Sequence, residues 1–233
     1  KLTRNRTMQQ IKWIWQQKEW PNFSWDGDFI ASKLREATQL QGRLLGKVEN
    51  LGPEQSLESS LDAQLQNIVQ SSAIEGENLN VESVRSSLAI RLGVKEAGLS
   101  KTTAQTDGLA ELLLDATQNY DEPLTLERLY QWHEYLFPKG EDDSYLLGKI
   151  KVGILRGDEP MQVVSGPHNK RTVHFEAPPR EGLHNQLENF LAWLDESREN
   201  STLDPLFRAG LAHFWFVTLH PFDDGNGRLA RVV

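Results

Sequence analysis

Apolar residues recur at three- and four-residue spacings along most of the chain, which predicts a mainly helical protein. From Ser56 to about Glu75 the stripe reads Leu57, Leu61, Leu65, Ile68, Ser72 and Glu75, and Gly76 ends it. Further helices are predicted over 26–49, 81–92, 103–118, 126–137, 180–196 and 206–219. Asp26 or Ser24, Thr125 and Asp204 stand where N-caps belong, and Pro205 suits the first helical position. The stretch 206–219, with Leu206, Phe207, Leu211, Phe214, Trp215, Phe216 and Val217, has almost no polar face, so it is expected to be a buried central helix.

Two segments break this rhythm. Met161–Ser165 and Thr172–Glu176 are short strand-like runs around the turn chemistry of 166–170, and they predict a β-hairpin inside the helical body. The start of the chain holds four of its seven tryptophans, Trp13, Trp15, Trp20 and Trp25. It reads as a short strand or extended piece, then a turn, with its tryptophans packed inward rather than forming a binding surface. Asn50-Leu51-Gly52-Pro53 reads as a helix break. The expected organisation is therefore a Trp-rich extension over 1–52 and a core over 53–233.

Composition narrows the function classes. At 233 residues with 38% hydrophobic content, the chain can bury a sizeable core. A formal net charge of −8 and a pI near 5.3 argue against broad nucleic-acid binding, which needs a basic surface. No run approaches the length of a membrane span. The absence of cysteine excludes disulfides, thiolate metal sites and cysteine nucleophiles, and it fits a cytoplasmic setting. His133, His168, His174, His184 and His213 show no metal-ligand spacing and read as ordinary surface or core residues, although His168 and His174 flank the hairpin turn. Lys149, Lys151 and Arg156 read as a solvated basic run.

The chemistry concentrates at the end of the chain, in His220-Pro221-Phe222-Asp223-Asp224-Gly225-Asn226-Gly227-Arg228-Leu229-Ala230-Arg231. Pro221 disfavours helix at His220, and a new helix is expected to open at Gly227 or Arg228. The backbone N–H groups of Gly225, Asn226 and Gly227 would line its start, a natural place for phosphate oxygens. Arg228 and Arg231, three apart, could both reach phosphates. Asp224 is a lone carboxylate beside this cradle, the usual arrangement for Mg²⁺ held together with a nucleotide. His220 is a candidate general base and Phe222 an apolar anchor for the loop. Gly225-x-Gly227-x-x-Ala230 also fits the loose dinucleotide fingerprint, but an apolar helix rather than a strand precedes it.

This stretch resembles the Fic family signature, H-P-F-x-[DE]-G-N-G-R-x-x-R, at every specified position. The likeness spans roughly 55–233 and implies a Fic-type helical bundle. It implies AMP transfer from ATP to a Ser, Thr or Tyr hydroxyl of a target protein. His220 would be the base, and Asp224 would bind Mg²⁺. Gly225, Asn226 and Gly227 would hold the α- and β-phosphates, and Arg228 and Arg231 the phosphate tail. The hairpin at 161–176 looks like the family's flap, where Val163, Val164, Ser165, Val173, His174 and Phe175 would dock the target. Upstream, Ser71-Ser72-Ala73-Ile74-Glu75-Gly76 resembles the inhibitory motif [ST]-x-x-x-E-[GN], which implies that Ser71, Glu75 and Gly76 restrain the site through a Glu75–Arg231 pair. Periodicity adds that Glu75 continues a core-facing stripe, where a carboxylate needs a cationic partner.

The resemblance also implies self-modification as an accessible reaction and dimerisation as the default state. Because relatives place adenine contacts beyond the motif helix, the core is expected to be truncated at its C-terminus. Removal of AMP from modified targets, with Glu75 positioning water, is an alternative, as is a nucleotide-binding regulatory module without turnover. A branch that transfers the γ-phosphate has lysine where this chain has Gly227.

Overall fold

The computed structural model describes residues 11–49, 51–95, 98–138, 150–167 and 170–233. The structure has eight α-helices and one two-stranded antiparallel sheet among these residues: α1 Gly27–Val48, α2 Pro53–Ile74, α3 Val81–Leu92, α4 Ala104–Gln118, α5 Leu126–Leu136, β1 Gln162–Ser165, β2 Thr172–Glu176, α6 Leu183–Glu196, α7 Pro205–Leu219 and α8 Asn226–Ala230. Most ends follow from local chemistry. Side chains of Asp26, Asn80, Thr103, Thr125 and Asp204 accept N–H bonds at the starts of α1, α3, α4, α5 and α7.

Four local expectations need correction. The break after α1 is there, but α2 already starts at Pro53 rather than Ser56, because proline at the first helical position loses no intrahelical bond. The segment expected to be extended curls into a 3₁₀ turn at Ile14–Gln16, where Gln16 Oε1 accepts the N–H groups of Lys12 and Trp13 at 2.8 and 2.9 Å. The helix expected from 180 starts at Leu183, after Gly182 with φ +80°. Finally, α7 is not buried all round. Ala212, Trp215, Phe216 and Leu219 face the core, while Leu206 and Phe214 are exposed.

The core is assembled by a chain of neighbours, α2 on α3, α3 on α4, α4 on α5, then α6 on α7 and α7 on α8. Leu61, Leu65, Ile68, Leu88, Leu129, Phe190, Phe216 and Leu229 are buried in one continuous cluster. The α3–α4 contact is partly polar: buried Ser83 and Ser87 both bond Thr106 Oγ1, at 3.1 and 3.0 Å. α1 stands apart with no buried residue.

α4 and α5 approach so closely that only glycine fits between them. A Cβ added at Gly108 would lie 2.1 Å from the Tyr135 carbonyl oxygen, which is backbone and cannot move alone. Gly108→Ala is therefore expected to destabilise the fold by about 2–4 kcal/mol, lowering Tm by roughly 5–10 °C. Thermal unfolding checks this; a shift under about 2 °C would count against so tight a contact.

The N-terminal segment is fastened by rings. Trp20 packs edge-on against Phe23 and Trp215, Phe23 also meets Phe214, and Trp25 lies on Phe207 at 4.8 Å between centroids. Three of these partners belong to α7, the helix that delivers the terminal motif.

Candidate active site

The motif begins where α7 ends. His220 caps α7 with φ 49° and ψ 60°, making it the non-glycine residue with positive φ among the described residues. Left-handed backbone at a non-glycine residue costs roughly 1–3 kcal/mol and persists only when its surroundings enforce it. Here Arg156 does so. Its Nε donates to the His220 carbonyl at 2.8 Å, its backbone N–H to the Pro221 carbonyl at 2.9 Å, and Nη2 to the Pro178 carbonyl at 2.6 Å. Arg156 is therefore no solvated charge, with 2% of its surface exposed. Burial, reinforced by the nearby Arg180, pulls its pKa below the usual arginine value. Lys151 donates its backbone N–H to Asp223 Oδ2, and Lys149 lies outside the described residues.

The His220 ring sits 3.2 Å from the Val217 carbonyl through Nδ1. A carbonyl can only accept, so Nδ1 carries the proton and Nε2 keeps a free lone pair. Burial depresses the His220 pKa, and the Arg156 charge adds to this; the Val217 bond and the Asp224 charge oppose it. The net direction favours a neutral ring, the form a general base requires.

Between His220 and α8 the loop is braced from within. Phe222 is fully buried, and the Asn226 side chain bonds it twice, accepting from its N–H at 2.9 Å and donating to its carbonyl at 2.8 Å. Asn226 thus spends its side chain on loop shape, leaving only its backbone N–H for a ligand. Gly225 takes φ +76°, and a Cβ there would meet the Phe137 ring at 2.9 Å. Asp224 Oδ1 accepts the Gly225 N–H at 2.6 Å, and the residue is exposed. The N–H groups of Asn226, Gly227 and Arg228 at the start of α8 have no hydrogen-bond partner among the described residues.

His133 supports this loop and was not singled out by its spacing. It is fully buried on α5 and stacks on Phe222, with centroids 4.2 Å apart and planes 11° apart. Gly153 N–H donates to Nδ1 at 3.0 Å, so Nε2 holds the proton and donates to the Asp224 carbonyl at 3.2 Å. Burial lowers its pKa to about 4. The unfolded chain binds this proton near pH 6.5 and the folded one does not. The contribution to stability is complete above 6.5 and is lost as pH falls toward about 4. Between pH 7.5 and 4.5 the wild type should lose about 2–3 kcal/mol more than a His133→Asn variant, read by urea unfolding. Parallel losses in the two proteins would contradict this.

Both motif arginines are engaged with the end of α2. Arg231 donates from Nη2 to Glu75 Oε1 at 2.6 Å and to the Ser71 carbonyl at 3.1 Å, and from Nε to Ser71 Oγ at 2.8 Å. Arg228 is almost fully buried under the Phe137 ring and donates from Nη1 to both carboxylate oxygens of Glu77 at 2.9 Å. Gly76 makes this arrangement available. At φ +79° it turns the chain so that its own N–H bonds the Ala73 carbonyl and the Glu77 N–H bonds the Ser72 carbonyl, aiming two carboxylates from one helix end. Glu77 lies beyond Gly76, where helical periodicity no longer applies, and no sequence signal marked it. Glu75 caps α2 with its side chain 38% exposed, so the core-facing burial inferred from the stripe does not hold, since the helix ends one residue earlier. Its Oε1 stands 2.5 Å from where a Gly227 Cβ would be, directly over the start of α8.

The hairpin pairs Gln162 with Glu176, Val163 with Phe175, Val164 with Val173 and Ser165 with Thr172. His174 is the bulged residue between Phe175 and Val173, and its Nε2 lies within hydrogen-bond reach of Ser165 Oγ. Val163 and Val164 are 46% and 40% exposed. His168 falls outside the described residues.

Asp224 offers an exposed carboxylate with one oxygen, Oδ2, uncommitted, and no cluster of three or more His, Asp or Glu able to hold a metal occurs among the described residues. A single carboxylate fits a hard cation that takes its other ligands from water and phosphate, as Mg²⁺ does.

Residues 123–233 match the Fic/DOC family, and residues 13–94 match a domain of unknown function (DUF4172) that runs across the Gly52–Pro53 step. A uridine 5'-monophosphate transferase of Xanthomonas campestris pv. campestris (strain 8004) is 34% identical over 114 residues, covering 47% of this chain and 20% of that protein. The protein adenylyltransferase Fic of Drosophila yakuba is 30% identical over 174 residues, covering 74% and 31%. The chain thus spans less than a third of either relative's length. Two crystal structures share the fold at a TM-score of 0.58. One is a Fic family protein from Desulfovibrio desulfuricans G20, at 23% identity, covering 91% of this chain and 57% of that one. The other is a Fic-domain-containing signaling protein from Bacteroides thetaiotaomicron VPI-5482, at 22% identity, covering 84% and 69%.

Proposed function

The chain is a Fic family protein through its residues 123–233, and on that premise we propose that it transfers AMP from ATP to a hydroxyl group of a protein. The observation that carries the reading is the loop between α7 and α8. It combines an imidazole with its Nε2 lone pair free, an exposed carboxylate and a row of unpartnered backbone N–H groups.

His220 Nε2 takes the proton of the acceptor hydroxyl as its oxygen bonds to the α-phosphorus. The bond from that phosphorus to the α,β-bridging oxygen breaks, and pyrophosphate leaves. The N–H groups at the start of α8 receive the phosphate charge, and Arg231, once released from Glu75, adds to it. Asp224 would hold Mg²⁺, which supplies charge neutralisation on the phosphates when bound. The acceptor segment docks on the hairpin as an added strand. The Glu75–Arg231 pair restrains the reaction by placing a carboxylate where the phosphates must come.

A second reading, transfer of UMP, is favoured by the relative named uridine 5'-monophosphate transferase. Incubating Glu75→Gly protein with ATP or UTP labelled at the α-phosphate separates the two. Label from ATP on protein, and none from γ-labelled ATP, is the expected result. Label from UTP alone would favour the second reading, and none from either α-label would overturn nucleotide transfer.

A further inference from the structure

The geometry points to the N-terminal tryptophan segment as a strap that positions the hairpin, with Trp13 and Trp15 its contact residues. A two-stranded sheet is marginal in water unless something packs on it. Every residue of β1 is exposed, so the support must come from the β2 side. There Trp15 Nε1 donates to the Glu176 carbonyl at 2.6 Å, and the Trp13 ring meets Phe175 edge-on at 5.6 Å. Both contacts come from the single 3₁₀ turn that Gln16 closes.

The edge of the sheet follows from the ladder. Ala177 N–H bonds the Met161 carbonyl, so residue 177 points its polar groups toward the strand carrying Met161. Glu176, one residue earlier and opposite Gln162, therefore turns its carbonyl away from β1. Trp15 thus occupies the outer edge of β2. The outer edge of β1 has no backbone partner among the described residues. The strap blocks one edge for an incoming strand and leaves the other.

Its opposite end is tied to α7 through Trp20 and Phe23 on Trp215 and Trp25 on Phe207. One short segment therefore links the helix that ends in His220 to β2, whose partner strand β1 offers the open edge for a substrate. Rigid coupling between those two parts is what places an acceptor hydroxyl relative to the base.

The consequence for acceptor binding rests on the function proposed above, while the effect on the hairpin does not, so amide hydrogen exchange is the primary test. In Trp15→Phe an aromatic ring remains, while the N–H donor and one of the two fused rings are lost. Exchange across 162–176 should quicken about two- to tenfold, the loss of one hydrogen bond, while α4 and α7 keep their protection. Trp13→Phe, which keeps an edge-to-face ring, should stay near wild type, whereas Trp13→Ala should loosen the hairpin as Trp15→Phe does. Unchanged hairpin exchange in both Trp15→Phe and Trp13→Ala would overturn the proposal, as would equal loosening of hairpin and α7. In the Glu75→Gly background, Trp15→Phe should raise KM for a protein acceptor severalfold while leaving KM for ATP unchanged. If the hairpin loosens and no transfer exists to measure, the strap stands and the transferase reading falls.

Discussion

Replacing His220 by alanine in the Glu75→Gly background is expected to cut nucleotide transfer by about 10²–10⁴, the usual worth of a positioned general base. The background matters because a restrained wild type leaves little rate to lose. ATP affinity should change little, since the unpartnered N–H groups of α8 and the Asp224 carboxylate remain. With His220 in place, the Glu75→Gly protein should show its acid limb in kcat/KM below pH 6.5. Burial and Arg156 depress the His220 pKa, so the base form survives to lower pH than for a free imidazole, and activity falls only as pH drops through that lowered value. Initial rates with α-labelled ATP over pH 5–8, together with calorimetric ATP binding, check both statements. Wild-type rates in His220→Ala would remove the residue from the chemistry.

Glu75→Gly is expected to raise transfer by about tenfold or more over wild type. The carboxylate overhangs the start of α8 and ties Arg231 at 2.6 Å. A phosphate arriving there meets a like charge that, a few ångströms away near a protein surface, is worth on the order of a few kcal/mol. Each 1.4 kcal/mol of relief is about a factor of ten. Stability should hardly change, because both partners are partly exposed, at 25% and 38%, and such pairs contribute about 0–1 kcal/mol. Arg228 keeps its own carboxylate, Glu77, so the variant frees one arginine of the two. Initial rates and thermal unfolding of the two proteins decide the matter. A gain in transfer with Tm preserved supports restraint at Glu75, and equal rates contradict it.

Local chemistry makes much of the fold legible in the sequence. Caps at Asp26, Thr125 and Asp204, Gly76 after α2 and the paired strand-like runs located elements to within a few residues. Errors came where a residue type has two uses. Proline can follow one helix and open the next, and Pro53 does so, which starts α2 before its apolar stripe begins. A glutamine side chain curled an apparent strand at Trp13 into a turn. The apolar ring around α7 reads as complete burial, yet part of it serves as a seat for Trp25 and Phe23.

The site divides in the same way. Contiguous chemistry is a property of the chain itself: the spacing of His220, Asp224, Gly225, Gly227, Arg228 and Arg231 on one turn needs no partner to be recognised, because the backbone holds those residues together. What joins distant segments was decided only by tertiary packing. His133 looks like any polar residue on an amphipathic helix until Phe222 stacks on it and the Asp224 carbonyl accepts its proton. Arg156 looks solvated until it is buried as the clamp on the His220–Pro221 peptide. Glu77 and the Trp15 contact to β2 span 151 and 161 residues of chain. A side chain's type states what bonds it can make, and only packing decides which partner comes within reach and whether water is excluded from the pair.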